Sequence, residues 1–479
     1  MSAAEFLVRG RYVLTMAGLP VPGERDRTPG VHLDGVLAEG AVHVRDGEIV
    51  AVATYDGLRA AHPGLPVHGD GQGVVLPGLI STHTHLSEAL ATGMGSELSL
   101  FEWGEQIVGP LGDALNAEIA AEGTAMRAVE MLTSGITTVN DMFCHGALGS
   151  RASVGVVDGL TRAGMRGVVS FGAEDLPLVE AGASQLAVID DVMAEQAALR
   201  DAAAANPLLT YRYGVGTLLG QSDALLAAGV EWCRSGGHGV HTHLAEVREE
   251  LTAATHRWGH RTVEHARRIG LFERPLIAGH GVWLNASEIA MLAREDVAIA
   301  HNPVANMILA SGVCPVPALR GAGIAVGIGT DGAASNDSQD MLQAIKTAAL
   351  LQKVHTLDAQ VIDALDVLTM ATIDGARALG LDHLVGSLEP GKRADLVLLQ
   401  DTVDVAVLHD PISQLVYGAS PRSVRDVWVD GHQVVADHTC TSIDERAQIA
   451  RCRPLMADVA RRSGLIQAGH SILTERGAR

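Results

Sequence analysis

Along the middle of the chain, short apolar runs alternate with stretches whose apolar residues recur at helical spacing. The runs end near Ser81, Asn140, Ser170, Gly214, His241, Gly279, Ala300 and Gly329. Each is followed by a polar or glycine-containing loop and then an amphipathic stretch such as Ile289-Ala-Met-Leu-Ala-Arg294. Apolar runs bounded by turn signals read as buried strands, and their alternation with helical patterns reads as βα units. Eight such units over about 260 residues match the length and count of a (β/α)8 barrel of the TIM type. A doubly wound open sheet is the competing α/β arrangement. No GxGxxG follows the first strand, and chemically interesting residues sit at the ends of several different strands. Both points favour the barrel.

The two ends of the chain carry a different pattern. Residues 6–15 and 41–53 read as short strands, separated by Pro20, Pro22, Gly23, Pro29 and Gly30. Asp46-Gly47, between Ala41-Val-His-Val-Arg45 and Glu48-Ile-Val-Ala-Val52, is a tight hairpin signal. A similar run follows near the far end, from Ala394 to Leu399 and from Val424 to Val435, with Asp430-Gly431 as its turn. The expected layout is an α/β barrel over residues 75–385 with a small β-sandwich domain built from both ends. Residues 1–74 and 386–441 would supply the sandwich, and 442–479 a charged helical tail.

Composition narrows the partners. A net charge of −21 argues against a nucleic-acid or anionic-membrane partner, since both need clustered Lys and Arg. No stretch approaches the ~20 uninterrupted apolar residues of a membrane span. The first ten residues lack the charged-then-apolar layout of a signal peptide. Cys144, Cys233, Cys314, Cys440 and Cys452 are scattered, with no CxxC, which fits reduced thiols and a cytoplasmic location.

The chemistry gathers at the strand ends. The first apolar run closes on His83-Thr-His85. Residues two apart on a strand point to the same side, so the pair is a chelate at a strand exit, or else two surface histidines beside a Pro-Gly turn. The fifth run gives His241-Thr-His243-Leu-Ala-Glu246, the sixth Ile277-Ala-Gly-His280, the eighth Gly327-Ile-Gly-Thr-Asp331. In a closed barrel these ends converge on one mouth. His83, His85, His243 and Asp331 would then offer three imidazoles and a carboxylate, with a position open for water, as in a catalytic metal site. Zinc, iron(II) and manganese all suit such ligands, zinc being the first expectation.

At this point the chain resembles the amidohydrolase superfamily, and within it the metal-dependent deaminases of heterocyclic rings. The motifs that carry the resemblance are Pro77-Gly-Leu-Ile-Ser-Thr-His-Thr-His85, Ser134-Gly-Ile-Thr-Thr-Val139, His241-Thr-His-Leu-Ala-Glu246, His301-Asn-Pro303, Gly329-Thr-Asp-Gly-Ala-Ala-Ser-Asn336 and Gly391-Lys-Arg-Ala-Asp395. Ala310-Ser-Gly-Val-Cys-Pro-Val-Pro317 and Met370-Ala-Thr-Ile-Asp-Gly-Ala-Arg-Ala-Leu-Gly380 are similar to the triazine hydrolases (melamine deaminase, atrazine chlorohydrolase) and to the methylthioadenosine and S-adenosylhomocysteine deaminases. The resemblance implies one divalent metal per subunit, activating a water that attacks the amino-bearing carbon of a purine, pterin, pyrimidine or triazine and releases ammonia. Asp331 would take the water proton, His280 would orient the water, and Glu246 would carry a proton to the ring nitrogen. It also implies a small aromatic N-heterocycle as partner and a homodimer or larger assembly.

The superfamily's two-metal members bridge their ions with a carboxylated lysine on the fourth strand. Here the lysines are Lys346, Lys353 and Lys392, all beyond that strand, so a lysine-bridged pair is excluded. Nucleoside deaminases of this kind grip ribose with a Glu after a Trp-containing segment, and that position falls near Gly112. Their Gly-Pro-His stretch reads Gly214-Val-Gly-Thr217 here, and an Arg after the third strand is replaced by Phe171 or a neighbour. These departures favour a compact aminated ring over a nucleoside. Candidate substrate contacts on the strand-end loops are Trp103, Gln106, Asp141, His145, Glu174, Asn306 and Ser335. Three alternatives stand beside the heterocyclic-ring deaminase: a hydrolase expelling chloride or an alkylamine from a triazine-like ring, a methylthioadenosine/S-adenosylhomocysteine-type nucleoside deaminase, and a non-catalytic relative with a scaffold role.

Overall fold

The computed structural model describes residues 5–19, 35–95, 97–144, 147, 149–406 and 409–465. Its centre is a parallel barrel of eight strands: β1 (Leu79–Thr84), β2 (Ile136–Cys144), β3 (Arg166–Ala173), β4 (Leu209–Tyr211 continued by Tyr213–Val215), β5 (Val240–Leu244), β6 (Leu276–His280), β7 (Ala298–His301) and β8 (Val326–Ile328). Neighbours pair in sequence order from β1 to β8. Parallel neighbours need crossover connections, and helices supply them.

The barrel is drawn together between β1 and β8 by polar contacts. The Thr330 amide donates to Ser81 Oγ at 3.1 Å, and the Asp331 amide donates to the His83 carbonyl at 2.9 Å. Gly327 makes this approach sterically possible, because a Cβ there would lie 2.2 Å from Thr82 Cγ2. Apart from Thr210 and Tyr211 in β4, the eight strands are almost wholly buried, as expected of a sheet lined by side chains inside and helices outside.

Both chain ends build two further sheets. Val74–Pro77, leading into β1, pairs antiparallel with Leu396–Leu399 from the far end of the chain. The hairpin Val424–Val429 and His432–Ala436 extends this seven-stranded sheet. A four-stranded sheet holds Glu5–Arg9, Gly40–Arg45, Glu48–Thr54 and Val67–His68. Phe6, Val8, Val42, Val44, Val75, Leu396, Leu398 and Trp428 fill one apolar cluster between the sheets. Both hairpin turns have paired positive φ, 53° and 79° at Asp46-Gly47 and 54° and 75° at Asp430-Gly431. That geometry matches the right-handed twist of the flanking strands.

The sandwich is tied to the base of the barrel. Arg166, the first residue of β3, makes a bidentate pair with Asp395, 2.9 Å in each arm, and reaches Asp430. The helix Glu445–Arg462 begins at its Asp444 cap and packs on the helix Ala117–Thr133, where Gln448 Nε2 donates to the Glu122 carbonyl. The rest of the expected tail, 466–479, lies outside the described residues. No helix among the described residues is long and apolar enough to cross a membrane.

Candidate active site

The barrel mouth brings together His83 and His85 from β1, His243 from β5, His280 from β6 and Asp331 just beyond β8. His85 Nε2 stands 3.1 Å from His243 Nε2 and 3.4 Å from Asp331 Oδ1. His83 Nε2 lies 3.5 Å from the same oxygen. His83, His85 and Asp331 form one set whose ligand atoms all lie within 4.8 Å of one another, and His83, His243 and His280 form another.

The hydrogen bonds behind these rings fix which nitrogens carry protons. His85 Nδ1 meets the Met142 carbonyl at 2.7 Å, and His243 Nδ1 meets the Gly216 carbonyl at 2.6 Å. A carbonyl only accepts, so both Nδ1 atoms are N–H donors and both Nε2 atoms present lone pairs. His83 is set by a longer chain. Ser170 Oγ donates to the Asp141 carbonyl, so it accepts from His241 Nδ1 at 3.1 Å. His241 Nε2 is then an acceptor, receiving Asn140 Nδ2 and, at 2.7 Å, His83 Nδ1. His83 Nε2 is left as a buried lone pair with no hydrogen-bond partner among the described residues.

Three imidazole lone pairs therefore converge, those of His83 and His85 lying within 3.5 Å of one Asp331 oxygen. Two lone pairs 3.1 Å apart repel unless a cation lies between them. Burial and the neighbouring imidazoles pull the pKa values of His83 and His243 well below the usual range, which keeps them in the neutral, ligating form. The donor set fits a divalent metal held by His83, His85, His243 and Asp331. Cys144 Sγ lies 3.4 Å from His85 Nδ1, the side of the ring turned away from these ligands, and burial holds its thiol protonated.

His280 and Glu246 stand beside these donors. His280 Nδ1 donates to Asn306 Oδ1 at 2.8 Å, turning Nε2 toward Glu246 Oε2 at 3.5 Å and Asp331 Oδ2 at 3.7 Å. Burial lowers the His280 pKa, but Glu246 and Asp331 outweigh it and the net shift is upward. Burial pushes Glu246 up to about 7, against the opposing pull of His280. A carboxyl near neutrality beside an imidazole is suited to moving protons. His280 and Asp331 both hold left-handed backbone, with φ of 74° and 62°. Non-glycine residues rarely adopt it, and the surrounding structure must hold them there.

Loop contacts supply that restraint. Thr84 Oγ1 and Gln339 Nε2 both donate to the Asp331 carbonyl at 2.9 Å. Glu88, 1% exposed, accepts the Ala334 amide, and Gly332 leaves it room, since a Cβ there would lie 1.8 Å from Glu88 Oε2. Glu250 receives the amides of Ala245 and Glu246 at 2.8 Å each. Ser311 Oγ donates to Glu246 Oε1 at 3.3 Å.

The candidate substrate contacts are placed variously. Asn306 is buried and bonded to His280. Asp141 is buried and receives the Leu86 amide at 2.7 Å, and burial raises its pKa to about 8. Glu174 accepts from Thr217 Oγ1 at 2.6 Å. Trp103 is 7% exposed and packs in the main apolar cluster, whereas Gln106 is exposed. Ser335 is buried, its hydroxyl donating to the Gly332 carbonyl. His145 lies outside the described residues. His241, Glu88, Glu250 and Ser311 are parts of the site that the sequence reading did not single out. For His241 a signal existed: it stands two residues before His243 on the same strand and so faces the same way.

Residues 74–434 match the amidohydrolase family. The chain belongs to this family. It is a hydrolase of carbon–nitrogen bonds, of the deaminase kind. A 5-methylthioadenosine/S-adenosylhomocysteine deaminase of Syntrophomonas wolfei is 35% identical over 390 residues, 81% of this chain and 87% of that protein. The crystal structure of an adenosine deaminase from Xanthomonas campestris with bound zinc superposes with a TM-score of 0.84 at 30% identity, covering 95% of this chain and 98% of that one. A triazine hydrolase from Arthrobacter aurescens superposes with a TM-score of 0.83 at 25% identity, covering 95% and 99%. Both lines of resemblance in the sequence motifs thus reappear in these relatives.

Proposed function

We propose that this amidohydrolase removes the exocyclic amino group of an adenine-type ring, delivered as a nucleoside, with one zinc ion in the His83, His85, His243 and Asp331 set. The observation that carries the reading is the line of acid–base groups Glu246, His280 and Asp331 beside three converging imidazole lone pairs. A divalent ion bound there supplies Lewis acidity and a water of lowered pKa. The Xanthomonas relative's bound zinc supports that choice of ion.

The chain's own groups do the rest. His280, its Nδ1 engaged by Asn306, presents Nε2 to the attacking water and keeps it in line. Asp331 Oδ2 takes the proton that the water gives up. Glu246 gives its proton to the ring nitrogen beside the attacked carbon, takes a second one from the adduct's hydroxyl as the carbonyl forms, and hands that one to the departing amine, so that ammonia leaves neutral; the water proton held by Asp331 then returns to Glu246 and restores both groups. Burial of all three groups excludes bulk water and strengthens each interaction.

The names of the relatives favour the nucleoside, whereas one structural observation favours a second reading, a compact aminated base. Gly112, where the ribose-gripping carboxylate of such deaminases is expected, sits buried in the helix Gly109–Ala114 and offers no acid. Ammonia release from adenosine, 5′-substituted adenosines, adenine, pterins and aminotriazines separates the two. Turnover confined to free bases selects the second reading, and no turnover by metal-replete protein overturns both. The five cysteines are free and buried, which supports a reducing, cytoplasmic setting. A homodimer or larger assembly is proposed from the family resemblance.

A further inference from the structure

We propose that a second divalent-metal site, separate from the barrel mouth, lies on the four-stranded sheet and is built from Glu5, His43 and His62. Leu7 pairs with His43 and Glu5 with Arg45 across two antiparallel strands. Side chains alternate along each strand, so Glu5, Leu7, Ala41 and His43 share one face. The other face, with Phe6, Val8, Val42 and Val44, fills the sandwich. The helix Tyr55–Ala61 covers the first face, its Leu58 packing on Leu7 and Ala41.

His62 caps that helix, and its backbone amide bonds to the Leu58 carbonyl. This sets its imidazole against His43, with ring centroids 4.4 Å apart. His43 is 1% exposed, and its Nε2 lies 2.8 Å from Glu5 Oε1. Its Nδ1 is buried without a hydrogen-bond partner among the described residues. One ligand atom from each of the three residues lies within 4.8 Å of the others.

The Glu5 carboxylate only accepts, so without a metal His43 Nε2 carries the proton between them, and a divalent ion would take that proton's place between Nε2 and Oε1. Two imidazoles and a carboxylate form an N2O set that selects zinc, nickel, copper or cobalt over magnesium or calcium. Arg45 Nε also donates to Glu5 Oε1, at 3.1 Å, so the ion shares this carboxylate with one guanidinium. With three protein ligands, water completes the shell. The ion would tie the first strand, the 41–53 hairpin and the covering helix together.

The test uses the full-length holoenzyme, equilibrated with excess zinc or nickel and desalted before metal analysis. Wild type is expected to hold two equivalents per chain. His62→Ala and Glu5→Gln are each expected to hold one, with wild-type turnover, and to lose the metal-dependent rise in melting temperature. A single equivalent in wild type overturns the proposal. So does a second equivalent that persists in both variants, because the ion then sits elsewhere on the surface.

Discussion

His241 Nε2 receives the Nδ1 proton of His83 at 2.7 Å, so the group that orients this proposed β1 ligand comes from β5, two residues before the proposed ligand His243. Partners behind a ligating histidine fix its tautomer, and their loss costs roughly 10–100-fold in metal affinity. His241→Phe keeps the ring volume but cannot accept that proton. The expected outcome is faster metal loss to a chelator, with activity restored by excess metal. Ser170→Ala, one bond further from the metal set, should weaken binding less. Equal metal retention in wild type and His241→Phe would show that His83 is oriented without it.

The convergence of the candidate ligands was legible because barrels place strand ends at one mouth, so a residue type and a strand number suffice to predict it. His83, His85, His243 and Asp331 needed nothing more. Tautomers were not legible, since they depend on Ser170, Asn140 and Asp141 arriving from two other strands. Asp141 and Asn306 were expected on strand-end loops, whereas the structure places them in β2 and in the helix Pro303–Ile308. The structure gives them bonds to a backbone amide and to His280, which no spacing in the sequence encodes. The two hairpins of the sandwich were plain from Asp-Gly turns, whereas the pairing of Val74–Pro77 with Leu396–Leu399 joins segments too distant for any local pattern.

Arg166 and Asp395 are 4% and 3% exposed, and their bidentate pair links β3 to the sandwich. Removing one partner of a buried pair leaves an uncompensated charge and costs about 3–5 kcal/mol. Arg166→Ala should therefore lower the melting temperature by several degrees while leaving turnover per folded molecule unchanged, because the pair lies at the far end of β3 from the mouth. Calorimetry and a folded-fraction-corrected assay check it. An unchanged transition would mean that the Asp430 amide, which also bonds Asp395, suffices to hold that carboxylate.

His301 is fully buried, and neither ring nitrogen has a hydrogen-bond partner among the described residues. Burial, aided by His280, pulls its pKa from 6.5 down to about 3. The unfolded chain takes up this proton below about pH 6.5, whereas the folded ring stays neutral until near pH 3. Its contribution is thus fully present above pH 6.5 and is lost as pH falls toward 3, by about 2 kcal/mol at pH 5. Urea unfolding of wild type and His301→Leu at pH 7 and pH 5 should show a smaller acid loss in the variant. Parallel losses would mean that the folded ring is protonated in this range.

Glu246 is the group on which the choice of reaction turns. Its carboxyl is raised to about 7 chiefly by burial, and it faces His280 Nε2 at 3.5 Å. Near neutral pH it therefore exists in both protonation states and can give and take a proton within one turnover. Glu246→Gln keeps the shape and the hydrogen bonds but has no transferable proton. Metal content should stay at the wild-type level, because Glu246 is outside the ligand set, while kcat for deamination falls about 10²–10⁴-fold. Glu246→Asp should recover part of the loss. A leaving group that departs without a proton, such as chloride from a triazine, should be hurt less than an amine. Steady-state rates on matched amino- and chloro-substituted rings read this difference, and equal losses on both would place the proton transfer at the ring nitrogen alone.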